Sequence, residues 1–222
     1  MTSDDIWTHL DWVKMTFSMD KCMHIQNMVF VVVAHHDEDT SWVNNLKYKY
    51  EIISKSRIPL EHAPNKGNEA SSFLQYIIFN YDNLDDVSVF VHGHRNAWHH
   101  KENMDEKMNQ MVFDKNYYNI NTNDTNNSLT TLGHFPMELA KMKQMLPELG
   151  AILNIKFDPE KIVYRNSAQF YVRKEFIKKH SRETYFKLHA WLMRSKESSY
   201  YTSRSFEYIW HIIFTGSHVD VF

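Results

Sequence analysis

The sequence predicts an α/β domain with a mostly parallel central sheet, flanking helices and a helical C-terminal third. Three observations carry this reading. MVFVVVA (residues 28–34) and VSVFV (87–91) are continuous apolar runs, as strands buried on both faces require. Between them lies a segment with apolar residues at helical spacing, and strand, helix, strand in that order needs a crossover that sets the strands parallel. Beyond residue 136 helical periodicity dominates.

Taken in order, residues 29–34 form a first strand and empty into polar HHDEDTS. Tyr48, Tyr50, Ile52 and Ile53 read as a second strand. IPLEHAPNKGNEA, with two Pro and a Gly, is a loop. In NEASSFLQYIIFNYDNL, Asn68 is the expected N-cap, and Phe73, Leu74, Ile77, Ile78 and Tyr81 share one helix face. Residues 87–91 are a third strand, an inner neighbour of the first. Residues 101–131 are rich in Asn and Lys with weak periodicity, and read as a long mobile loop, a candidate lid. PMELAKMKQMLPEL is a helix, and KIVYRNSAQFYVRKEFIKKH reads as loop, strand, helix. RETYFKLHAWLMRS is another helix, and SRSFEYIWHIIF is a final one, closed near Gly216.

Composition narrows the function. The chain has 222 residues and a formal net charge of -2, so no strong field draws it to nucleic acid or membrane. Its single cysteine, Cys22, excludes an internal disulfide framework. MTSDDIWTHLDWVK is acidic and lacks the apolar core of a signal peptide, and the longest apolar run is too short for a bilayer. A cytoplasmic location without a membrane span is expected, and the sequons at Asn123 and Asn126 are read as chance.

Chemistry is expected where parallel strands end. The third strand runs into HGHRNAWHH, and residues two apart on an extended chain point the same way. His92 and His94 therefore converge on one ion or one phosphate, or are hydrogen-bonded loop residues. Gly93 lets a ligand approach the backbone. Arg95 suits a phosphate through its planar fork, or forms a surface ion pair. His99 and His100 extend the cluster or lie exposed. Lys66 and Gly67 at the helix start offer an anion site. Asp37 and Asp39 are an Asp-x-Asp or a solvated acidic loop. Glu207 and His211, four apart on one helix face, are a base and metal ligand or a polar surface pair.

VVVAHHDEDTSWV, NKGNEASSFLQYIIFNYDNLDDVSVFVHGHRNAWH, AQFYVRKEFI and SFEYIWHIIF together resemble the DUF3431 family of fungal and large-DNA-virus proteins. That family looks like a branch of the GT-A-fold glycosyltransferases. The resemblance runs over about residues 29–214, is weakest over 101–165, and is most specific in NYDNLDDVSVFVHGHRNAWH. It implies a GT-A-like (Rossmann-like) sheet within one domain, residues 1–222, with a nucleotide-binding part at about 25–100 and an acceptor part at about 101–222. It implies transfer of a sugar from a nucleotide sugar, UDP-linked first, to an acceptor hydroxyl on a glycan or glycoprotein. A protein encoded by an algal virus and working in the host cytoplasm is the kind of member implied.

GT-A enzymes usually place Asp-x-Asp after an inner strand to hold a divalent metal. Here His92-Gly93-His94 stands in that slot. Imidazole suits borderline metals better than Mg²⁺, so the resemblance implies Mn²⁺ held by His92, His94 and a late His211, with Mg²⁺ or no metal as alternatives. It also implies Glu207 as base. Ala34, His35, Asp37 and Asp39 would hold the nucleoside. Lys66, Gly67 and Glu69 would meet ribose or phosphate, with His92, Gly93 and Arg95 on the diphosphate. Trp98, His99 and residues 167–170, including Ala168 and Gln169, would border sugar or acceptor. Two rivals stand beside this reading: a metal-dependent hydrolase built on the histidines, and a carbohydrate-binding domain with Trp42 and Trp98 as stacking platforms.

Overall fold

A computed structural model describes residues 28–55, 66–97, 102–121, 127–129, 136–165 and 168–220. Its elements run β1 (Val29–His35), a 3-10 turn (Ser41–Asn45), β2 (Lys49–Ser54), α1 (Asn68–Asn80), β3 (Val87–His92), α2 (Met104–Gln110) and β4 (Tyr117–Asn119). Then come β5 (Asn127–Ser128), α3 (Pro136–Leu153), β6 (Val163–Tyr164), β7 (Phe170–Arg173), α4 (Lys174–Ile177), α5 (Arg182–Arg194) and α6 (Ser199–Thr215).

The main sheet has the order β2-β1-β3-β7-β4. β1 is parallel to both β2 and β3, with Val31 opposite Tyr50 and Val89, so the two apolar runs are inner neighbours as expected. The remaining pairings, β3 with β7 and β7 with β4, are antiparallel. The sheet is thus mixed rather than mostly parallel. The chain comes back beside β3 only after α3 and enters that slot in reverse. A four-residue stretch such as FYVR carries no mark of its direction.

Burial on both faces explains the continuous apolar runs. Val32 and Phe90 face a core shared with α1, α3, α5 and α6. Val31, Val33, Val89 and Val91 face a second core with Trp42, Tyr48, Met104, Met108 and Tyr171. Aromatic rings join the helices to the sheet. Phe73 lies 5.0 Å from Phe90, Phe90 5.1 Å from Phe170, and Phe170 5.4 Å from Trp210. Such pairs add about 0.5–1.5 kcal/mol each beyond their buried area.

Two expectations are corrected here. The stretch 101–131 is not one aperiodic loop. It contributes α2 and the edge strand β4, and buries Met104, Met108 and Ile120. The helix α1 is capped not by Asn68 but by Gly67, in the left-handed region at φ 78°, and Asn68 itself has φ 44°. A β-carbon on Gly67 would lie 1.9 Å from Leu192 Cδ2, so a side chain there would force Leu192 of α5 to move. Among the described residues no helix is long and apolar enough to cross a membrane.

The two left-handed glycines provide a test. Gly216 caps α6 at φ 76° with open space where a β-carbon would stand, whereas a β-carbon on Gly67 would meet Leu192. Gly216→Ala is expected to cost about 1 kcal/mol from backbone strain alone. Gly67→Ala should cost about 3 kcal/mol, because overpacking adds to the strain. Urea denaturation measures both, and equal losses would show that Leu192 gives way freely.

Candidate functional site

The strands β2, β1 and β3 are parallel and end at one edge of the sheet, where ligands gather in open α/β folds. A cavity of about 220 Å³ opens there. From the end of β1 and its loop come Ala34, His35, His36 and Glu38; from the end of β2, Lys55; from α1, Asn68, Glu69 and Ser72; from the end of β3, His92 and His94. A wider cleft of about 500 Å³ adjoins it, lined by residues 36–39 and 94–96. His36, Glu38 and His94 face both spaces.

Glu38 organises the rim. Its Oε2 accepts from the His36 amide at 2.7 Å, and its Oε1 lies 3.4 Å from His94 Nε2. Burial opposes its charge, but the amide hydrogen bonds and the imidazoles of His94 and His35 hold the carboxyl below its ordinary value. Gly93 makes this approach possible. A β-carbon there would sit 2.9 Å from Glu38 Oε2 and 3.3 Å from the Ala34 carbonyl. The glycine therefore admits a protein carboxylate to the backbone, where the sequence suggests a ligand. Its carbonyl accepts from Trp42 Nε1 at 2.6 Å. Trp42 is 3% exposed, so it anchors the loop and is no stacking platform.

The floor is more deeply buried. Lys55 Nζ donates to the carbonyls of Lys66, at 3.1 Å, and Asn68. Burial pushes its amine down to about 8, against the pull of Glu69. Burial pushes the Glu69 carboxyl up, partly offset by its own backbone N–H, Lys55 and Arg204. His35 is fixed on both sides: Nδ1 lies 2.8 Å from Ser54 Oγ and Nε2 3.1 Å from the Glu38 carbonyl.

Behind His92 runs a chain of amides. The His92 N–H donates to Gln169 Oε1 at 3.1 Å, Gln169 Nε2 to Asn121 Oδ1 at 2.9 Å, and Asn121 Nδ2 to Asn119 Oδ1 at 3.0 Å. Asn119 Nδ2 ends the chain on the Arg165 carbonyl at 3.5 Å.

Of the residues singled out in the sequence, Ala34, His35, Glu69, His92 and His94 come together in the cavity, and Asp37, Asp39, His94 and Arg95 in the outer cleft. Others are committed elsewhere. The Arg95 fork is taken by Asp105, with Nε to Oδ1 at 2.9 Å and Nη2 to Oδ2 at 3.0 Å. Asp39 Oδ1 accepts from the Ser41 amide at 2.8 Å and closes a turn. Lys66 Nζ donates to the Ser195 carbonyl, and the Gly67 amide to Ser199 Oγ at 3.1 Å, so protein groups fill the expected anion site. Ala168 and Gln169 are buried behind the cavity and do not border it. His211 is buried with Nε2 3.3 Å from the His218 carbonyl, and it does not join His92 and His94. Glu207 lies on α6 in the field of Arg204 and Tyr208, outside the cavity lining. Trp98, His99, His100 and Ser167 lie outside the described residues.

Glu38, Lys55 and Ser72 do not stand out in the sequence. Glu38 is the middle residue of the acidic triplet, hidden by the Asp-x-Asp around it. A run of parallel strand ends is the signal that points to Lys55, the first residue after β2. Among the described residues no three His, Cys, Asp or Glu side chains gather as a ready metal site. Glu38 with His94, an oxygen and a nitrogen donor 3.4 Å apart, is a pair that could share a cation.

Residues 30–221 match the family described as "Protein of unknown function (DUF3431)". The chain belongs to the DUF3431 family. The match spans β1 to the segment after α6, so the whole cavity lies within the DUF3431 region. No curated protein and no solved structure matches this DUF3431 chain.

The buried imidazoles make stability depend on pH. Burial lowers His211 and His189 to about 4, and Lys55 adds to the effect on His189. Between pH 6.5 and 4 the unfolded chain therefore binds protons that the fold refuses, and stability falls as pH falls. Asp220, raised by burial to about 6, acts in the opposite sense below that pH. The comparison is thus between proteins: His211→Gln should lose about half the histidine-linked slope of the wild type across this window. Denaturant melts at stepped pH measure it, and parallel pH profiles would contradict a neutral His211.

Proposed function

We propose that the protein is a glycosyltransferase that moves a sugar from a nucleotide sugar, UDP-linked in the first instance, to an acceptor hydroxyl of a glycan or glycoprotein. The observation that carries this is the cavity at the joint carboxyl edge of β2, β1 and β3. It brings four imidazoles, a half-buried lysine and the first turn of α1 beside the loop after β1. Imidazole and ammonium groups favour a departing diphosphate, and a site held by packed strands needs no rearrangement as charge develops. The wider cleft beside it leaves room for an acceptor.

In this reading His92 and His94 face the diphosphate, with the His92 backbone fixed by Gln169. Lys55 supplies a fixed positive charge in the wall, since its protons are already given to backbone carbonyls. Glu38 and His94 are the side chains that would hold a divalent cation, Mn²⁺ before Mg²⁺ because the pair mixes nitrogen and oxygen donors. Such a cation would neutralise leaving-group charge. The resemblance of the sequence motifs to a family that looks like a branch of the GT-A-fold glycosyltransferases supports the same reading.

Calorimetric titration of UDP and UDP-sugars, with and without Mn²⁺, tests it. His94→Ala and Glu38→Gln should each weaken Mn²⁺-dependent binding by about 10–100-fold. Glu207→Gln should leave binding unchanged, as its place outside the cavity requires. Equal affinities in the wild type and both cavity variants, with Mn²⁺ and without, would remove the histidine pair from the reaction.

A further inference from the structure

The α1 side of the cavity carries polar atoms that the fold does not satisfy. Ser72 is fully buried, lines the cavity, and its Oγ has no hydrogen-bond partner among the described residues. Glu69 lines the same space, and its Oε1 is equally inaccessible and unpartnered among those residues. The two are three apart on α1, so they lie side by side on one helix face. The neighbouring Ser71 shows that local backbone can serve a helical hydroxyl: its Oγ donates to the Asn68 carbonyl at 3.2 Å. Lys55, whose charge the Glu69 carboxyl feels, donates to the carbonyls of Lys66 and Asn68. Buried polar groups left without partners oppose folding, so a pair of them facing one cavity calls for a ligand that completes them.

We propose that Glu69 and Ser72 form a sugar-hydroxyl subsite that binds adjacent hydroxyls of one sugar ring. This deepens the glycosyl-transfer reading and rests on it. The chemistry selects the ligand. At this wall, away from the His92 and His94 side, a phosphate meets the acceptor oxygens of the Glu69 carboxyl, and an organic cation meets the Lys55 ammonium. A neutral group that both donates and accepts satisfies the two side chains together once they turn about their χ angles toward the cavity they line: one hydroxyl donates to the Glu69 carboxyl, and its neighbour exchanges a hydrogen bond with Ser72 Oγ. The cavity, about 220 Å³, is below the roughly 300–1,000 Å³ of pockets that enclose a drug-sized molecule, which suits a single ring whose attached groups extend into the outer cleft. Sites that hydrogen-bond a hydroxyl reject the analogue that lacks it far more strongly than apolar pockets separate sizes. Glu69 and Ser72 are thus specificity-determining residues, for the ribose of the nucleotide or for the transferred sugar.

The test is calorimetry on the full chain with UDP, 2′-deoxy-UDP, UDP-glucose, UDP-galactose and UDP-N-acetylglucosamine. Wild type, Glu69→Gln and Ser72→Ala are compared. The wild type should prefer a hydroxylated probe, and each variant should lose about tenfold or more of that preference. Loss of the preference for UDP over 2′-deoxy-UDP assigns the subsite to ribose. Loss of the gain of a UDP-sugar over UDP assigns it to the transferred sugar. Glu69→Gln should also melt no lower than wild type, since it removes a carboxyl whose charged form burial opposes. If it fails to fold, that expectation is wrong and Ser72→Ala still decides the subsite. A wild type that binds nucleotides without preference, or variants that keep the preference, overturn the subsite and leave the glycosyl-transfer reading standing. A wild type that binds none of the probes overturns both.

Discussion

The parallel pairing of β1 with β3 is the constraint on which the site depends. Both strands are buried on both faces, so their register is fixed by two cores at once. That register sets Ala34 opposite His92. The loops after these residues therefore leave the sheet side by side, and Glu38 from one meets His94 from the other. A slip of one residue would send Val32 and Phe90 to the wrong core and turn His92 from the cavity to the opposite face. The polar site is thus positioned by apolar packing, which reaches it through Ala34.

Electrostatics outside the cavity serve the fold. Glu138, 2% exposed, accepts from Arg204 at 3.1 Å, from Tyr200 at 3.3 Å and from Tyr208, and so ties α3 to α6. A buried carboxylate held by several donors tolerates burial because each removes part of its cost. Glu207 belongs to this group, beside Arg204, which is why a carboxylate and an imidazole four apart on α6 do not reach the histidines after β3.

The strands and helices legible in the sequence are those whose signal is local. Residues 29–34 and 87–91 could only be doubly buried strands, and α5 and α6 follow from their apolar spacing. What the sequence hides is information held by distant partners. The direction of β7 depends on where α3 returns the chain, and nothing in FYVR records that. Arg95 resembles a phosphate fork because Asp105, its partner, lies in a stretch whose periodicity is too weak to show a helix. Gly67 caps α1 because Leu192 occupies the space a side chain would need. In the site, the histidines are visible because imidazoles at a strand end are unusual. Lys55 and Ser72 are not, because their residue types are ordinary and only burial makes them matter. Gln169 matters for a reason other than the one expected: it holds the His92 backbone from behind instead of bordering a ligand.

The amide chain from His92 to Arg165 has a direction that a single atom imposes. A backbone N–H can only donate, so Gln169 must turn its oxygen to His92 and its nitrogen to Asn121. Asn121 must then present oxygen to Gln169 and nitrogen to Asn119, and so on to the Arg165 carbonyl. Every side-chain amide in the row is locked in one of its two flip states, head to tail. No member can be exchanged for the isosteric acid without setting two acceptors face to face. The row therefore works as a polarised spacer that links the far edge of the sheet to the β3 terminus and orders the strand end before any ligand arrives.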